Sequence, residues 1–314
     1  MADERAQDNL DRDLGLGQRV AQQSTVRFLN RDGTFNVRRE GFPFLRTQNL
    51  YHLLLTMSWP RFHLMVAAYY AMANILFALA YLACGPGALH GSAAASLGER
   101  FMEAFFFSVQ TLATIGYGRL SPDGLAPNVL VSVEALAGLL GFAMITGILF
   151  SRFSRPTAKI LYSENAVVAP YRDITAFEFR IANERSNQLI EVQATVVLSR
   201  LESSGGTQVR KFYPLALERE KVMFLPLHWV IVHPIDRESP MFGVSEANLR
   251  ASDAEFLILL TATDETFSTV VHSRSSYKHQ EVIWGAKFGD MFQSRANDGV
   301  VSIDLRRIHT IEKP

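Results

Sequence analysis

The sequence predicts a two-part fold: an α-helical membrane domain with two spans around a re-entrant helix and a filter loop, followed by an all-β sandwich. Residues 62–84 contain no Asp, Glu, Lys or Arg, and residues 128–150 contain only Glu134. At about 1.5 Å per residue, each stretch can cross a hydrocarbon core of about 30 Å. After Pro156 the pattern changes to the alternation of strands, as in residues 188–201. The two patterns therefore predict separate domains.

The overall composition conceals this division. The 314 residues are 48% hydrophobic and have a formal net charge of zero, which gives no support for nucleic-acid binding. The single cysteine, Cys84, excludes an intrachain disulfide framework and a thiol metal cluster. His228 and His233 would point to opposite faces of a strand, so they could not share a metal. Because GxSxG and glycine-rich nucleotide motifs are also missing from the sequence, we expect neither catalysis nor a cofactor.

The chain begins with a polar tail, residues 1–45, which lacks the apolar core of a cleavable signal peptide. Residues 46–58 follow, with apolar side chains at helical spacing: Leu50, Leu53, Leu54 and Met57. This pattern predicts an amphipathic (slide) helix along the membrane surface. A simple N-terminal extension of the first span explains the pattern equally well.

The predicted membrane domain covers residues 59–156. Between its spans, residues 99–112 are apolar but too short to cross a bilayer, and acids stand in the first turn. These features predict a re-entrant helix whose carbonyl end, with its partial negative charge, points at residues 114–118. Irregular backbone at membrane depth is tolerated only where it is buried in protein or faces a water-filled path.

Residues 114–118 read Thr114-Ile115-Gly116-Tyr117-Gly118 and resemble one quarter of a potassium selectivity filter, for which TVGYG is the known example. Glycine adopts positive φ easily, which lets successive carbonyls turn toward a common axis and replace the water around a cation. Thr114 adds a hydroxyl at the inner end. Five residues can recur by chance, so the order of span, short helix, loop and span decides the assignment.

Basic residues predict the orientation of the spans. They are Arg27, Arg31, Arg38, Arg39, Arg46 and Arg61 before the first span, and Arg152, Arg155 and Lys159 after the second. Between the spans stand only Arg100 and Arg119. By the positive-inside rule, both termini are expected in the cytoplasm.

Residues 157–314 predict the β domain. Apolar and polar residues alternate in 188–201, and Ser203-Ser204-Gly205-Gly206 then predicts a hairpin turn. Further strand-like runs are residues 177–181, 222–232, 255–262, 267–272 and 301–305. Several short strands with turns between them predict an antiparallel β-sandwich.

Motifs in the β domain make a family resemblance specific. They are His233-Pro234-Ile235-Asp236, Ser239-Pro240, Arg274-Ser275-Ser276-Tyr277 and Ile283-Trp284-Gly285. With the spans, the loop and the basic linker 152–156, the chain resembles the inward-rectifier potassium channels, most closely their bacterial branch. The resemblance implies a homotetramer in the inner cell membrane, an immunoglobulin-like cytoplasmic domain and potassium as the permeant ion. One filter segment and two spans cannot enclose a pore, which independently indicates several copies.

The second span is expected to form the inner pore wall. Gly138, Phe142, Thr146 and Phe150 recur at four-residue steps along one stripe of a helix. The resemblance places Phe150 where family members narrow the pore, and four phenylalanines there would block ions by dewetting. A core-facing or lipid-facing Phe150 is the alternative. Gly138, Gly141 and Gly147 are candidate hinges, with close helix packing as the alternative.

Four further positions take their roles from the resemblance. Phe142 stands where strongly rectifying relatives have an acid, so we expect weak block by magnesium or polyamines. Gln110 replaces a glutamate that pairs with a basic residue past the filter in many eukaryotic relatives. Glu134 is expected to support the filter by hydrogen bonds rather than by ion contact. Glu265 aligns with an acid that lines the cytoplasmic pore of some relatives, although a solvated loop charge explains it equally well.

The resemblance also implies lipid gating. Eukaryotic relatives open when phosphatidylinositol bisphosphate binds basic residues at the membrane face, whereas bacterial relatives tend to be inhibited by it. The candidates here are Arg46, Arg61, Arg152, Arg155 and Lys159. Each would contribute about 1 kcal/mol of attraction to an anionic surface. The positive-inside bias explains the same residues without a specific lipid.

Two other functions stay open at the level of sequence. A membrane-anchored β-sandwich that binds a ligand would not need Gly116 or Gly118. A subunit of a potassium transporter would resemble families with four pore repeats in one chain, whereas this chain has one.

Overall fold

The computed structural model describes residues 27–37, 50–154, 158–204, 207–293 and 302–313. The chain divides into two compact units. We call residues 40–155 the membrane unit, and residues 1–39 with 156–314 the sandwich unit. Two long apolar helices in the first and two five-stranded sheets in the second confirm the predicted fold class.

The described part of the membrane unit contains four helices. They are α1 (Leu50–Thr56), α2 (Trp59–Ala83), α3 (Leu97–Leu112) and α4 (Leu125–Phe153). Among the described residues, α2 and α4 are long and apolar enough to cross a membrane. A short antiparallel ladder joins β1 (Leu89–His90) to β2 (Ser121–Pro122). This ladder ties the segment before α3 to the segment after the loop.

A short non-helical interruption at Ser58 separates α1 from α2. Ser58 has an extended conformation (φ −62°, ψ 150°), and Pro60 stands in the first turn of α2. Proline lacks the N–H that a continuous helix would need at this point, but it is well suited to a first turn. Residues 50–56 are therefore a helix of their own and not an extension of the span.

A capping box starts the re-entrant helix α3. The Ser96 hydroxyl accepts the Glu99 N–H at 3.2 Å, and the Glu99 carboxylate accepts the Ser96 N–H at 3.0 Å. Along the buried side of α3, Phe107 packs edge-on against Tyr81 of α2, with the ring centroids 5.2 Å apart. The cap and this packing fix the helix that precedes the loop.

The sandwich unit consists of two sheets and a C-terminal layer. The first sheet contains β3 (Ile160–Tyr162), β4 (Ala166–Tyr171), β5 (Ile174–Asn183), β9 (His228–Ile235) and β12 (Val282–Trp284). The second contains β6 (Leu189–Ser204), β7 (Thr207–Pro214), β8 (Lys221–Phe224), β10 (Glu255–Asp264) and β11 (Thr269–Lys278). A short helix, α5 (Glu246–Ala251), precedes β10. In the C-terminal layer, β13 (Lys287–Phe288) pairs with β16 (Ile311–Glu312), and β14 (Phe292–Gln293) with β15 (Ser302–Ile303).

The two sheets share one apolar core. The Phe177 ring of β5 stacks on the Phe256 ring of β10, with centroids 4.1 Å apart, and both side chains are buried. Because the inward residues alternate along these strands, the alternation in the sequence correctly indicated half-buried strands. The sandwich therefore contains a continuous core within one chain.

Two details of the strand prediction are wrong. The run 222–232 is not one strand but two, β8 and β9, because the sequence between them contains Pro226, which cannot donate to a ladder. The sandwich is not wholly antiparallel either, since β12 pairs with β4 in parallel. The crossover between these two strands includes most of the domain, which local periodicity cannot reveal.

Residues 27–37 pack on the sandwich, an arrangement that the sequence did not indicate. The buried Glu255 carboxylate accepts the N–H groups of Phe28 (3.0 Å) and Leu29 (3.2 Å). The Arg31 guanidinium lies 4.4 Å from the ring centroid of Tyr277 and donates to the Ser163 carbonyl at 2.7 Å. This N-terminal segment is therefore part of the sandwich unit.

Candidate functional site

The loop 114–118 has an alternating backbone. Thr114, Gly116 and Gly118 have positive φ values of 55°, 56° and 78°, while Ile115 and Tyr117 do not have positive φ. In an ordinary strand, successive carbonyls point to opposite sides, so inverting φ at every second residue brings them toward one side. Positive φ is unusual for the β-branched Thr114, and such strain is concentrated at functional sites. The sequence analysis identified all five loop residues but expected positive φ only at the two glycines, and not at Thr114.

Hydrogen bonds attach the loop to the end of α3. The Gln110 carbonyl accepts the N–H groups of Ile115 (2.7 Å) and Gly116 (3.3 Å). Because N–H and C=O point in opposite directions in a trans peptide, the carbonyls of Thr114 and Ile115 point away from α3. The loop therefore presents backbone oxygens on the side away from its supporting helix. The backbone of Gln110, rather than its side chain, makes these contacts.

All five loop residues are exposed in the single chain, and Tyr117 is 78% exposed. Lipid can cover an exposed apolar side chain, but it cannot satisfy an exposed peptide group. A loop of this kind at membrane depth requires other protein or a water-filled path beside it.

The hydrogen bonds of Glu134 connect it to the re-entrant helix α3 and to α2. It is fully buried (0% exposed) and accepts hydrogen bonds from the Tyr81 hydroxyl (2.7 Å) and from Ser108. Ser108 also contacts the Asn74 side chain at 2.9 Å. One polar cluster therefore connects α2, α3 and α4. Its other members were missed, although polar residues within apolar spans are the signal that would have identified them.

A second polar cluster holds the segment that follows the loop. The Arg119 guanidinium donates to the Glu103 carboxylate at 2.9 Å. The other Glu103 oxygen accepts the Ser92 hydroxyl at 2.5 Å. The acid that pairs with a basic residue past the loop is therefore Glu103, on the same helix as Gln110 but two turns nearer its start. Sequence reasoning missed Glu103.

The predicted stripe along α4 divides into two parts. A Cβ at Gly138 would lie 2.6 Å from the Leu112 carbonyl oxygen, so this glycine permits close packing of α4 on α3. The structure favours the packing alternative for Gly138 over a place on the pore wall. Phe142 (73%), Phe150 (72%) and Thr146 are exposed and free to face a pore. A Cβ at Gly141 would lie 3.7 Å from the Tyr69 hydroxyl, and Gly147 has open space around it.

Arg152, one of the predicted lipid-facing residues, has several contacts within the protein. Its guanidinium donates to the Leu54 carbonyl and to the Met57 carbonyl, the latter at 2.7 Å. It also lies over the rings of Trp59 (4.6 Å) and Phe62 (4.7 Å). The side chain therefore caps the C-terminal end of α1 and connects it to α2 and α4.

The other basic candidates and Glu265 have simpler surroundings. Arg61 is exposed on α2, and Lys159 lies 4.0 Å from Glu184 in an exposed pair. Arg46 and Arg155 lie outside the described residues. Glu265 is exposed in the turn between β10 and β11, where its N–H donates to the Gln188 carbonyl at 3.2 Å.

Comparison with known proteins agrees with these two units. Residues 64–155 match the model of the ion channel family, and residues 160–313 match that of the inward rectifier potassium channel C-terminal domain. The chain is 42% identical to the inward rectifier potassium channel Kirbac3.1 of Paramagnetospirillum magnetotacticum, over 91% of this chain and 95% of that protein. It is 28% identical to the human ATP-sensitive inward rectifier potassium channel 14, over 92% and 70% of the two chains. It is also 28% identical to the mouse G protein-activated inward rectifier potassium channel 3, over 98% and 84%.

Two membrane-length helices around a re-entrant helix and a peptide loop, joined to a β-sandwich, define the class as a membrane ion channel. Within this class, the chain belongs to the inward rectifier potassium channel family. Its relatives are ion channels, which confirms the expectation that the chain is not an enzyme.

Proposed function

We propose that the protein is a homotetrameric channel for passive, selective conduction of K⁺ through a filter built from residues 114–118. The alternating positive φ of the loop carries the proposal, because it directs backbone oxygens to one side at the carbonyl end of α3. Oxygen ligands in such rings replace the hydration shell of K⁺. The ion is the transported substrate, and we propose no other cofactor.

The exposed loop supports the homotetramer. Each chain supplies one filter segment, and a ring of identical subunits related by rotation would surround an axis with four such segments. The ring would also cover the peptide groups that one chain leaves exposed.

Rubidium uptake into liposomes tests this function. With a K⁺ gradient as the driving force, we expect uptake that barium blocks, external K⁺ competes with and Na⁺ hardly affects. Gly116→Ala should abolish uptake, because a Cβ at φ 56° is strained. Gly98→Ala is the matched control, since Gly98 has open space and no positive φ, and it should conduct as wild type. Equal uptake by the two variants would overturn the proposal.

We place the gate at Phe150, near the end of α4, where four exposed rings would meet and exclude water. Phe150→Ala should therefore increase uptake without changing the preference for Rb⁺ over Na⁺. A loss of tetramer in this variant would instead indicate a packing role. Thr146, one turn earlier, would line the same passage.

We assign Phe142 to the pore cavity, which explains the expected weak rectification. Phe142→Asp would place four carboxylates there and should increase voltage-dependent block by Mg²⁺ and spermine at least tenfold. Glu265 is a candidate for a ring of acids at the cytoplasmic pore. Glu265→Gln should then reduce spermine block to a smaller extent, because this side chain is solvated.

We propose that anionic lipids act at Arg61 and Lys159, and that the basic residues Arg46 and Arg155 of the sequence contribute to the same attraction. This assignment places both termini in the cytoplasm and the pore in the inner membrane. Charge removal at Arg61 should reduce the effect of phosphatidylinositol bisphosphate on uptake. If uptake responds to the lipid equally in wild type and in an Arg61→Gln, Lys159→Gln double variant, these residues follow only the positive-inside bias.

A further inference from the structure

The ion pair between Glu103 and Arg119 lies directly beside the loop. Arg119 follows Gly118, the last filter residue, so their Cα atoms are about 3.8 Å apart. The Arg119 side chain is 70% exposed, whereas that of Glu103 is only 17% exposed. The cation therefore reaches into solvent, while the carboxylate that neutralises it is held against the protein.

Surrounding contacts keep this pair in place. The Ser92 hydroxyl donates to the Glu103 oxygen that Arg119 does not use. Gly91 (φ 85°) passes so close to Arg119 that a Cβ on it would meet the Arg119 carbonyl oxygen at 2.5 Å. The β1–β2 ladder pairs His90 with Ser121 just beyond this contact. These contacts hold the backbone of Arg119 and the carboxylate with which its guanidinium pairs beside the loop.

Resting on the proposed function, we propose that Glu103 is the counter-charge that lets cations enter the filter past Arg119. In the tetramer, four Arg119 side chains surround the outer mouth, on the side of the filter opposite Phe150. Without Glu103, four unpaired cations would repel K⁺ where it must approach the first filter oxygens. Glu103 thus determines the rate of entry and the external affinity for cations, although it touches no ion.

Ionic strength separates this role from a purely mechanical one. The Debye length is about 30 Å at 0.01 M salt and about 3 Å at 1 M. Repulsion by exposed guanidinium groups therefore acts on an approaching ion in dilute salt and is screened in concentrated salt. A distorted filter would conduct poorly at every ionic strength.

The experiment measures inward single-channel current through the full-length protein in planar bilayers, at constant K⁺ and with external choline chloride varied. Glu103→Gln should reduce inward current about threefold to tenfold at about 0.01 M ionic strength and approach wild type at high salt. External barium block should weaken in parallel. The double variant Glu103→Gln, Arg119→Gln should recover most of the current, because it removes the unpaired cation.

Asp123→Asn provides a matched control. Asp123 is an exposed carboxylate in the segment after β2, so the variant loses the same charge but leaves the Arg119 pair intact. It should show less than a twofold change. A deficit in Glu103→Gln that is equal at all salt concentrations, or that the double variant does not relieve, would overturn the proposal. Failure of wild type to conduct K⁺ selectively would instead refute the proposed function.

Discussion

The two units of the chain bury apolar surface in different ways. The sandwich has a continuous core to which both sheets contribute. In the membrane unit, by contrast, only 17% of the most apolar stretch of α2 is buried within the chain, and only 11% of that of α4. The sandwich thus contains its own driving force for folding, whereas most of the apolar surface of the helices must be covered by groups outside the chain, such as lipid. Specific polar contacts inside the membrane unit therefore matter more than its apolar area.

The largest effect should come from the sandwich core. Phe256→Ala removes the ring that stacks on Phe177 and should destabilise the sandwich by about 3–5 kcal/mol. Hydrogen exchange of the full-length protein would detect this as faster exchange in β5 and β10. Phe224→Ala, at a 60% exposed position in the same unit, should change stability by less than about 0.5 kcal/mol. Similar effects at both sites would contradict a self-contained core.

Loss of a buried polar group should have the next largest effect, in the membrane unit. Glu134→Ala leaves the buried Tyr81 hydroxyl without its acceptor, at a cost of about 1–3 kcal/mol, whereas the Ser108 hydroxyl can still donate to the Asn74 side chain. We expect a lower melting temperature of the detergent-solubilised protein, with unchanged hydrogen exchange in β10.

Ser132→Ala is the control for that variant. The Ser132 hydroxyl is exposed and donates to the Asn128 carbonyl of its own helix, so it connects no other element. If Ser132→Ala lowered the melting temperature as much as Glu134→Ala, the connection between helices would not be the cause.

Arg152 distinguishes geometry from charge in the membrane unit. Arg152→Lys keeps the positive charge, but one ammonium cannot reproduce the planar fork that reaches two carbonyls and stacks on rings. Hydrogen exchange in residues 50–57 should accelerate about tenfold, equivalent to about 1.4 kcal/mol. Arg61→Lys, at an exposed site, should leave this exchange unchanged. Wild-type exchange in Arg152→Lys would support an attraction to lipid instead.

The smallest effect is a pH dependence confined to the sandwich. Burial lowers the pKa of His233, whose Nδ1–H donates to the Ala216 carbonyl at 2.6 Å, leaving Nε2 to accept from the Ser239 hydroxyl at 2.7 Å. Because the folded state disfavours the protonated ring, the free energy of unfolding of the sandwich should fall as pH decreases below about 6.5. One proton can change this free energy by at most about 1.4 kcal/mol per pH unit.

Unfolding of the sandwich at pH 7.5 and 5.5 measures this effect. His233→Gln should reduce the difference between the two values, while His272→Gln, at an exposed position, should retain it. Burial raises the pKa of Glu178. Protonation of this carboxyl therefore has the opposite effect, because it stabilises the folded state as pH decreases. If His233→Gln kept the full pH difference, another group would be responsible.

The comparison between the units also explains which features of the structure could be predicted from the sequence. The spans, the re-entrant helix and the alternating strands follow from local patterns, because each pattern records which side of one element faces water or lipid. The glycines of the loop were recognisable for the same reason. In contrast, the positive φ of Thr114 accompanies a tertiary arrangement in which the Gln110 carbonyl accepts the N–H groups of the two residues that follow. Propensity alone would not place a β-branched residue there.

The sequence by itself determined the two-part architecture, the position of the loop and the family resemblance, since these depend on composition and order along the chain. Only the tertiary structure decided which polar groups meet. Glu103 pairs with Arg119, Glu134 accepts hydrogen bonds from Tyr81 and Ser108, and Arg152 donates to carbonyls at the end of α1. These partners stand between 16 and 98 residues apart in sequence. A buried polar group requires a partner wherever the fold brings one, and periodicity contains no information about that choice.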